Sequence, residues 1–163
     1  IEKLETEMKA AAAADPELIL TEEGNGAVIR KDLCTDSGDY AGCVFGIDTL
    51  NGENIKDYVT TKAGSIEVVA NDQGNMTTGA TILLKDDSGK VVATYVFIYF
   101  GDVNGDGVVD GFDASSMDLA INNKAALTGA YKTAGGLATG KVDLANYGLV
   151  VDAAYGGTAI AQK

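Results

Sequence analysis

Histidine and tryptophan are absent from the 163 residues, and there are only two cysteines. Without His there is no Ser-His or Cys-His pair, so mechanisms built on an imidazole base are excluded. The usual zinc ligand set goes too, because two Cys alone do not close a site. Trp platforms commonly hold sugars, so a carbohydrate-binding role loses its best residue type, with seven Tyr as partial substitutes. Basic residues are scarce: 12 Lys and Arg face 24 Asp and Glu, for a formal net charge of −12. Such a chain repels nucleic-acid phosphates and anionic lipid surfaces. No apolar run reaches the ~18 residues that a membrane-spanning helix needs. The chain begins at Ile1 with neither Met nor a basic leader, as a trimmed chain or a piece of a longer one does.

What is present is 46% apolar and 22% charged, enough for a packed core in one domain or two small ones. The most informative stretch is GDVNGDGVVDGFD, residues 101–113. Counted from Asp102, side-chain oxygens fall at the first, third, fifth, ninth and twelfth places of an EF-hand loop: Asp102, Asn104, Asp106, Asp110 and Asp113. The Val108 carbonyl supplies the seventh place, and Gly107 stands at the sixth, where the loop turns sharply. A hard cation such as Ca2+ takes about six to eight oxygens, and this spacing wraps them around one point. The twelfth place holds Asp rather than Glu, so the following helix must sit closer to the ion. The residues before the loop, VVATYVFIYF, read as a strand and not as the entering helix of an EF-hand.

A loop-then-helix unit of this kind resembles the first Ca2+ loop of a type I-like dockerin, a module that plugs secreted bacterial proteins into cohesins of cellulosomes or related cell-surface assemblies. In that family Asp at the twelfth place is normal and the unit is duplicated. The second copy here is decayed. Residues 140–146, GKVDLAN, echo 107–113, GVVDGFD. The first, third and fifth places then become Gly135, Leu137 and Thr139, and only Asp143 and Asn146 keep ligand oxygens. One strong Ca2+ site and one degenerate loop are expected. The upstream block, with GIDTLNGENIKDY and GNMTTGATILLKDDSGKVVATYVFIY, resembles the β-rich, non-catalytic X modules that precede dockerins.

The chain in order predicts an α+β fold: a helix or linker over 1–16, a β-rich, sandwich-like module over 17–100, and a helical Ca2+-loop module over 101–163. Six short strands are expected in the middle block, around 18–20, 27–29, 42–47, 65–70, 80–84 and 91–100, with a short helical turn within 51–58. In the last strand Tyr95, Phe97 and Tyr99 face one way and Val96, Ile98 and Phe100 the other, which marks an interior strand. Helices are expected over 113–122 and after Asn146, with residues 123–138 as a linker.

The resemblance implies a non-catalytic, exported protein at the bacterial cell surface, engaged in polysaccharide degradation through a cohesin partner. It implies cohesin contacts at Gly111, Phe112, Asp118 and Leu119, and at Leu144, Ala145, Val151 and Asp152. For Phe112 the alternative is internal packing. Export favours a Cys34–Cys43 disulfide; the alternative is two thiols in a cytosolic protein. Two other classes share these residues: a Ca2+-stabilised structural surface protein without a cohesin partner, and a fragment of a larger glycoside-degrading enzyme.

Overall fold

The computed structural model describes residues 15–21, 27–30 and 40–162. The helix expected over residues 1–14 and Cys34 lie outside the described residues. The fold is α+β. Seven strands are described: β1 (Ile19–Leu20), β2 (Val28–Arg30), β3 (Gly42–Phe45), β4 (Val59–Thr60), β5 (Ser65–Val69), β6 (Thr81–Lys85) and β7 (Val91–Phe97). The helices are α1 (Ile55–Tyr58), α2 (Gly111–Ile121), α3 (Gly129–Gly136) and α4 (Leu144–Ala154), with 3-10 turns at Thr49–Asn51 and Leu137–Thr139.

All six expected strand regions carry strands, and β4 adds one. They do not form two full sheets. One five-stranded sheet runs β2-β3-β7-β6-β5, and β1 and β4 form a separate antiparallel ribbon. Among the described residues only β3 and β7 pair in parallel, placing Cys43 opposite Val96. The central position of β7 follows from its two apolar faces. Tyr95, Phe97 and Tyr99 enter one buried cluster, with Val44, Ile47, Ile55, Val59 and Ile82. Val96, Ile98 and Phe100 enter another. The first cluster is closed by α1, the preceding 3-10 turn and the β1–β4 ribbon, which contribute Ile55, Leu50, Leu20 and Val59. The Asn54 side chain starts α1 by accepting the Lys56 N–H at 3.0 Å.

The second cluster joins the sheet to the helices. Cys43, Phe45, Val96, Ile98 and Phe100 pack with Met117 of α2, Ala130 and Ala134 of α3, and Val150 of α4. The rings of Phe45 and Phe100 lie 5.1 Å apart. Side chains of this size each stabilise the fold by about 1.5–3 kcal/mol on burial. Buried packing therefore continues through the boundary expected near Phe100. The C-terminal tail reinforces it: the Phe100 N–H donates to Gln162 Oε1 at 2.8 Å, and Gln162 Nε2 donates to the Phe100 carbonyl at 3.0 Å.

The expected linker over 123–138 is a correction. It holds α3 and a 3-10 turn, and its Ala130, Thr133, Ala134, Gly135 and Gly136 are buried. Small side chains let its backbone approach the sheet end, where the Ala134 carbonyl accepts the Gly101 N–H at 3.1 Å. Cys43 is fully buried in β3, while its expected disulfide partner is not among the described residues. No helix among the described residues is long and apolar enough to cross a membrane.

Candidate functional site

The loop 102–113 leaves β7 and feeds α2. Gly107 takes φ +86°, the left-handed conformation required of its sixth place. Asn104 Oδ1 accepts the Asp106 N–H at 2.9 Å, and Asp106 Oδ1 accepts the Val108 N–H at 2.9 Å. Asp110 caps α2 through the Phe112 N–H at 2.8 Å, and Asp113 returns the bond by accepting the Asp110 N–H at 2.8 Å. This reciprocal capping box satisfies helix-end donors that would otherwise lack partners. The twelfth-place Asp thus lies inside the first turn of the helix, one methylene closer than Glu would allow.

Asp102 and Asp113 are fully buried. Asp113 Oδ1 also accepts the N–H groups of Val103 at 2.7 Å and Asn104 at 3.1 Å. Asp102 accepts the Gly105 N–H at 2.9 Å and the Thr77 hydroxyl. These partners are neutral. Burial consequently pushes the Asp113 carboxyl up to about 6, against the pull of its three N–H donors. Burial likewise raises Asp102, opposed by Thr77 and Gly105.

The donor set fits a hard cation: oxygen ligands only, two buried carboxylates whose hydrogen-bond partners named above are neutral, and lone pairs left over after the N–H bonds are counted. Among the described residues, however, no three or more His, Cys, Asp or Glu side chains converge as a ready-made cage. The side chains of Asp102, Asn104, Asp106, Asp110 and Asp113 accept N–H groups of the loop itself, Asp102 also taking the Thr77 hydroxyl. Asp102, Asn104, Asp106, Asp110, Asp113 and the Val108 carbonyl are the residues that would hold Ca2+.

Sequence reasoning missed the wall against which the loop is built. The β5–β6 connection reads as a plain turn, NDQGNMTTG, yet its side chains grip the loop. Asn71 Nδ2 donates to the Gly105 carbonyl at 2.7 Å, Asn75 Nδ2 to the same carbonyl at 3.1 Å, and Gln73 Nε2 to the Asn104 carbonyl at 2.6 Å. Thr77 holds Asp102 from the same connection. Gly105 is wedged here: a Cβ would lie 2.9 Å from Tyr131 Cε1 and 3.0 Å from Asn71 Nδ2.

The second loop keeps the glycine turn, with Gly140 at φ +72°. Asp143 caps α4 by accepting the Asn146 N–H at 2.9 Å. Leu137, at the third place, is buried in the core. Asn146, at the twelfth, is buried.

The expected contact residues divide. Phe112 is 72% exposed and Leu144 73%, so the internal-packing alternative for Phe112 does not hold. Gly111, Asp118, Leu119 and Val151 come together with Tyr147 and Tyr155 in a groove between α2 and α4. Phe112, Leu144, Ala145 and Asp152 do not line it. Asp152 instead fixes the C-terminal turn, its carboxylate accepting the Thr158 N–H at 2.8 Å. Leu149 and Tyr155 are exposed apolar residues of the same region that spacing did not single out. In comparisons with known proteins the chain matches no family model, no curated protein and no solved structure, so its likeness to dockerins rests on the loop and its repeat.

Proposed function

We propose that this chain is a non-catalytic, Ca2+-dependent protein-binding module of the dockerin kind, exported to anchor an attached protein to a cohesin-bearing scaffold at the cell surface. The observation that carries the reading is one arrangement. A complete set of EF-hand-type oxygens opens α2, and the residue just before the last ligand, Phe112, stands 72% exposed next in sequence to Gly111, which lines the α2–α4 groove. A large aromatic held in solvent at the start of a helix whose position depends on a cation suits a switchable contact. Solvated carboxylates elsewhere on the acidic surface keep the module soluble and steer basic partners.

The test is capture on a panel of immobilised cohesins in Ca2+ and in chelator, with calorimetry for the ion. One tight Ca2+ per chain and chelator-sensitive capture are expected. Asp102→Ala with Asp106→Ala should abolish both. Ca2+ binding without capture by any cohesin would leave a Ca2+-stabilised structural protein; retained Ca2+ affinity in the double variant would move the ion elsewhere.

A further inference from the structure

The two loops treat their twelfth residue in opposite ways. In the first, Asp113 accepts N–H groups from the second, third and ninth places. In the second, Asn146 turns its side-chain NH2 inward and donates. Nδ2 lies 2.8 Å from the Gly136 carbonyl, 2.8 Å from Thr139 Oγ1 and 2.7 Å from the Lys141 carbonyl. Thr139 and Lys141 occupy the fifth and seventh places, whose side-chain oxygen and backbone carbonyl are cation ligands in an EF-hand loop. An amide NH2 carries two protons and a partial positive charge and, with one proton shared between two acceptors, it answers three oxygens at once as a cation would. Asn146 and Gly136 are buried while Thr139 and Lys141 are exposed, so the Gly136 carbonyl, which also accepts the Thr139 hydroxyl at 3.0 Å, is the oxygen with most to lose without a donor.

We propose that Asn146 is an internal substitute for a cation, fixing the second loop and the first turn of α4 without Ca2+. The surroundings agree. Leu137, where the first loop has the ligand Asn104, is turned into the core. Gly136 comes so close to Lys141 that a Cβ would sit 3.1 Å from its backbone nitrogen, drawing the carbonyls around the amide. The second loop shares the glycine turn and the capped helix start of the first, while its first two places lie in α3 and its third to fifth in a 3-10 turn, and Asn146 stands where an ion would. One half of the docking face, with Leu144 and Leu149 on α4, is set permanently, and the other, with Phe112 on α2, answers to Ca2+. This last consequence rests on the functional reading above; the exchange of ion for amide does not.

Nuclear magnetic resonance of the full chain tests it. In wild-type protein the Asn146 side-chain pair should exchange slowly in chelator, and Ca2+ should move resonances of 102–113 while leaving those of 136–146 in place. Asn146→Asp, nearly isosteric, removes both donors and buries a carboxylate against three oxygens. In chelator it should lose the helical shifts of the first turn of α4. Millimolar Ca2+ should restore them, because Asp143, Thr139 Oγ1, the Lys141 carbonyl and the new carboxylate then form a weak cation site. A merely space-filling Asn would show no such rescue. The proposal is overturned if Ca2+ shifts both loops of the wild-type chain equally, if its Asn146 pair exchanges at the rate of a free amide, or if the variant is unaltered in chelator. The wild-type spectra decide the matter even where the variant does not fold. Failure of the first loop to bind Ca2+ would sink the functional reading alone, since the state of Asn146 is read without any ion.

Discussion

Both oxygens of Asp113 accept backbone N–H groups from the loop, and burial still raises its carboxyl to about 6. An unfolded Asp titrates near ~4, so between those values the folded, ion-free chain holds a proton that the unfolded chain has lost. The contribution of this group to stability is full below about pH 4 and is lost as the pH rises through about 6. In chelator, denaturant unfolding of the wild-type chain should therefore show lower stability at pH 7 than at pH 5. Asp113→Asn should flatten that difference; an unchanged slope would assign it to other groups. Phe112 differs in kind: it is exposed and contributes no ligand atom. Phe112→Ala should weaken cohesin capture by ~2 kcal/mol or more if it is a hot spot. Ca2+ affinity by calorimetry should not move. Equal losses in both would mean the ring supports the loop instead of the partner.

At the scale of elements, the period of the side chains was legible and long-range pairing was not. The alternation through Tyr95–Phe100 places β7 inside the sheet, because each face has its own apolar set. The loop spacing likewise marks its oxygens, since an EF-hand loop is a local object. The parallel β3–β7 pair joins residues about fifty positions apart, and no local pattern announces it. Helix α3 was hidden by the glycines and alanines that let it pack closely, the same residues that read as a linker. The spacing counts Asn146 among the two places of the second loop that keep a ligand oxygen, because a sequence gives an amide no direction. The β5–β6 connection was opaque for a related reason: its amides and Thr77 act on a loop about thirty residues away. That grip predicts a long-range effect on the ion. Thr77→Val removes the hydroxyl that orients Asp102, and a hydrogen bond to a charged group contributes about 1.5 kcal/mol or more. Ca2+ affinity should fall roughly ten-fold, and Thr77→Ser should restore it. If Val and Ser behave alike, the hydroxyl does not position the ligand.

For the whole molecule, the question is whether strands and helices melt together. The cluster around Phe100 takes residues from β3 and β7 and from α2, α3 and α4, so neither side can open without exposing the other's apolar surface. Two further links cross the same seam: Gln162 to Phe100, and the Asn71–Thr77 grip on the loop. A seam with this much shared burial favours one cooperative transition over two. Backbone amide resonances of β6 and β7 and helical dichroism should then give coincident denaturation curves in chelator. Ca2+ that binds only the folded chain adds about 2.7 kcal/mol at a hundred-fold excess over its Kd. Although the proposed ligands all lie within 102–113, both probes should shift by that same amount, because the stabilisation is shared across the seam. A helical signal that alone responds to Ca2+, with the sheet signal unmoved, would show two modules hinged at Phe100.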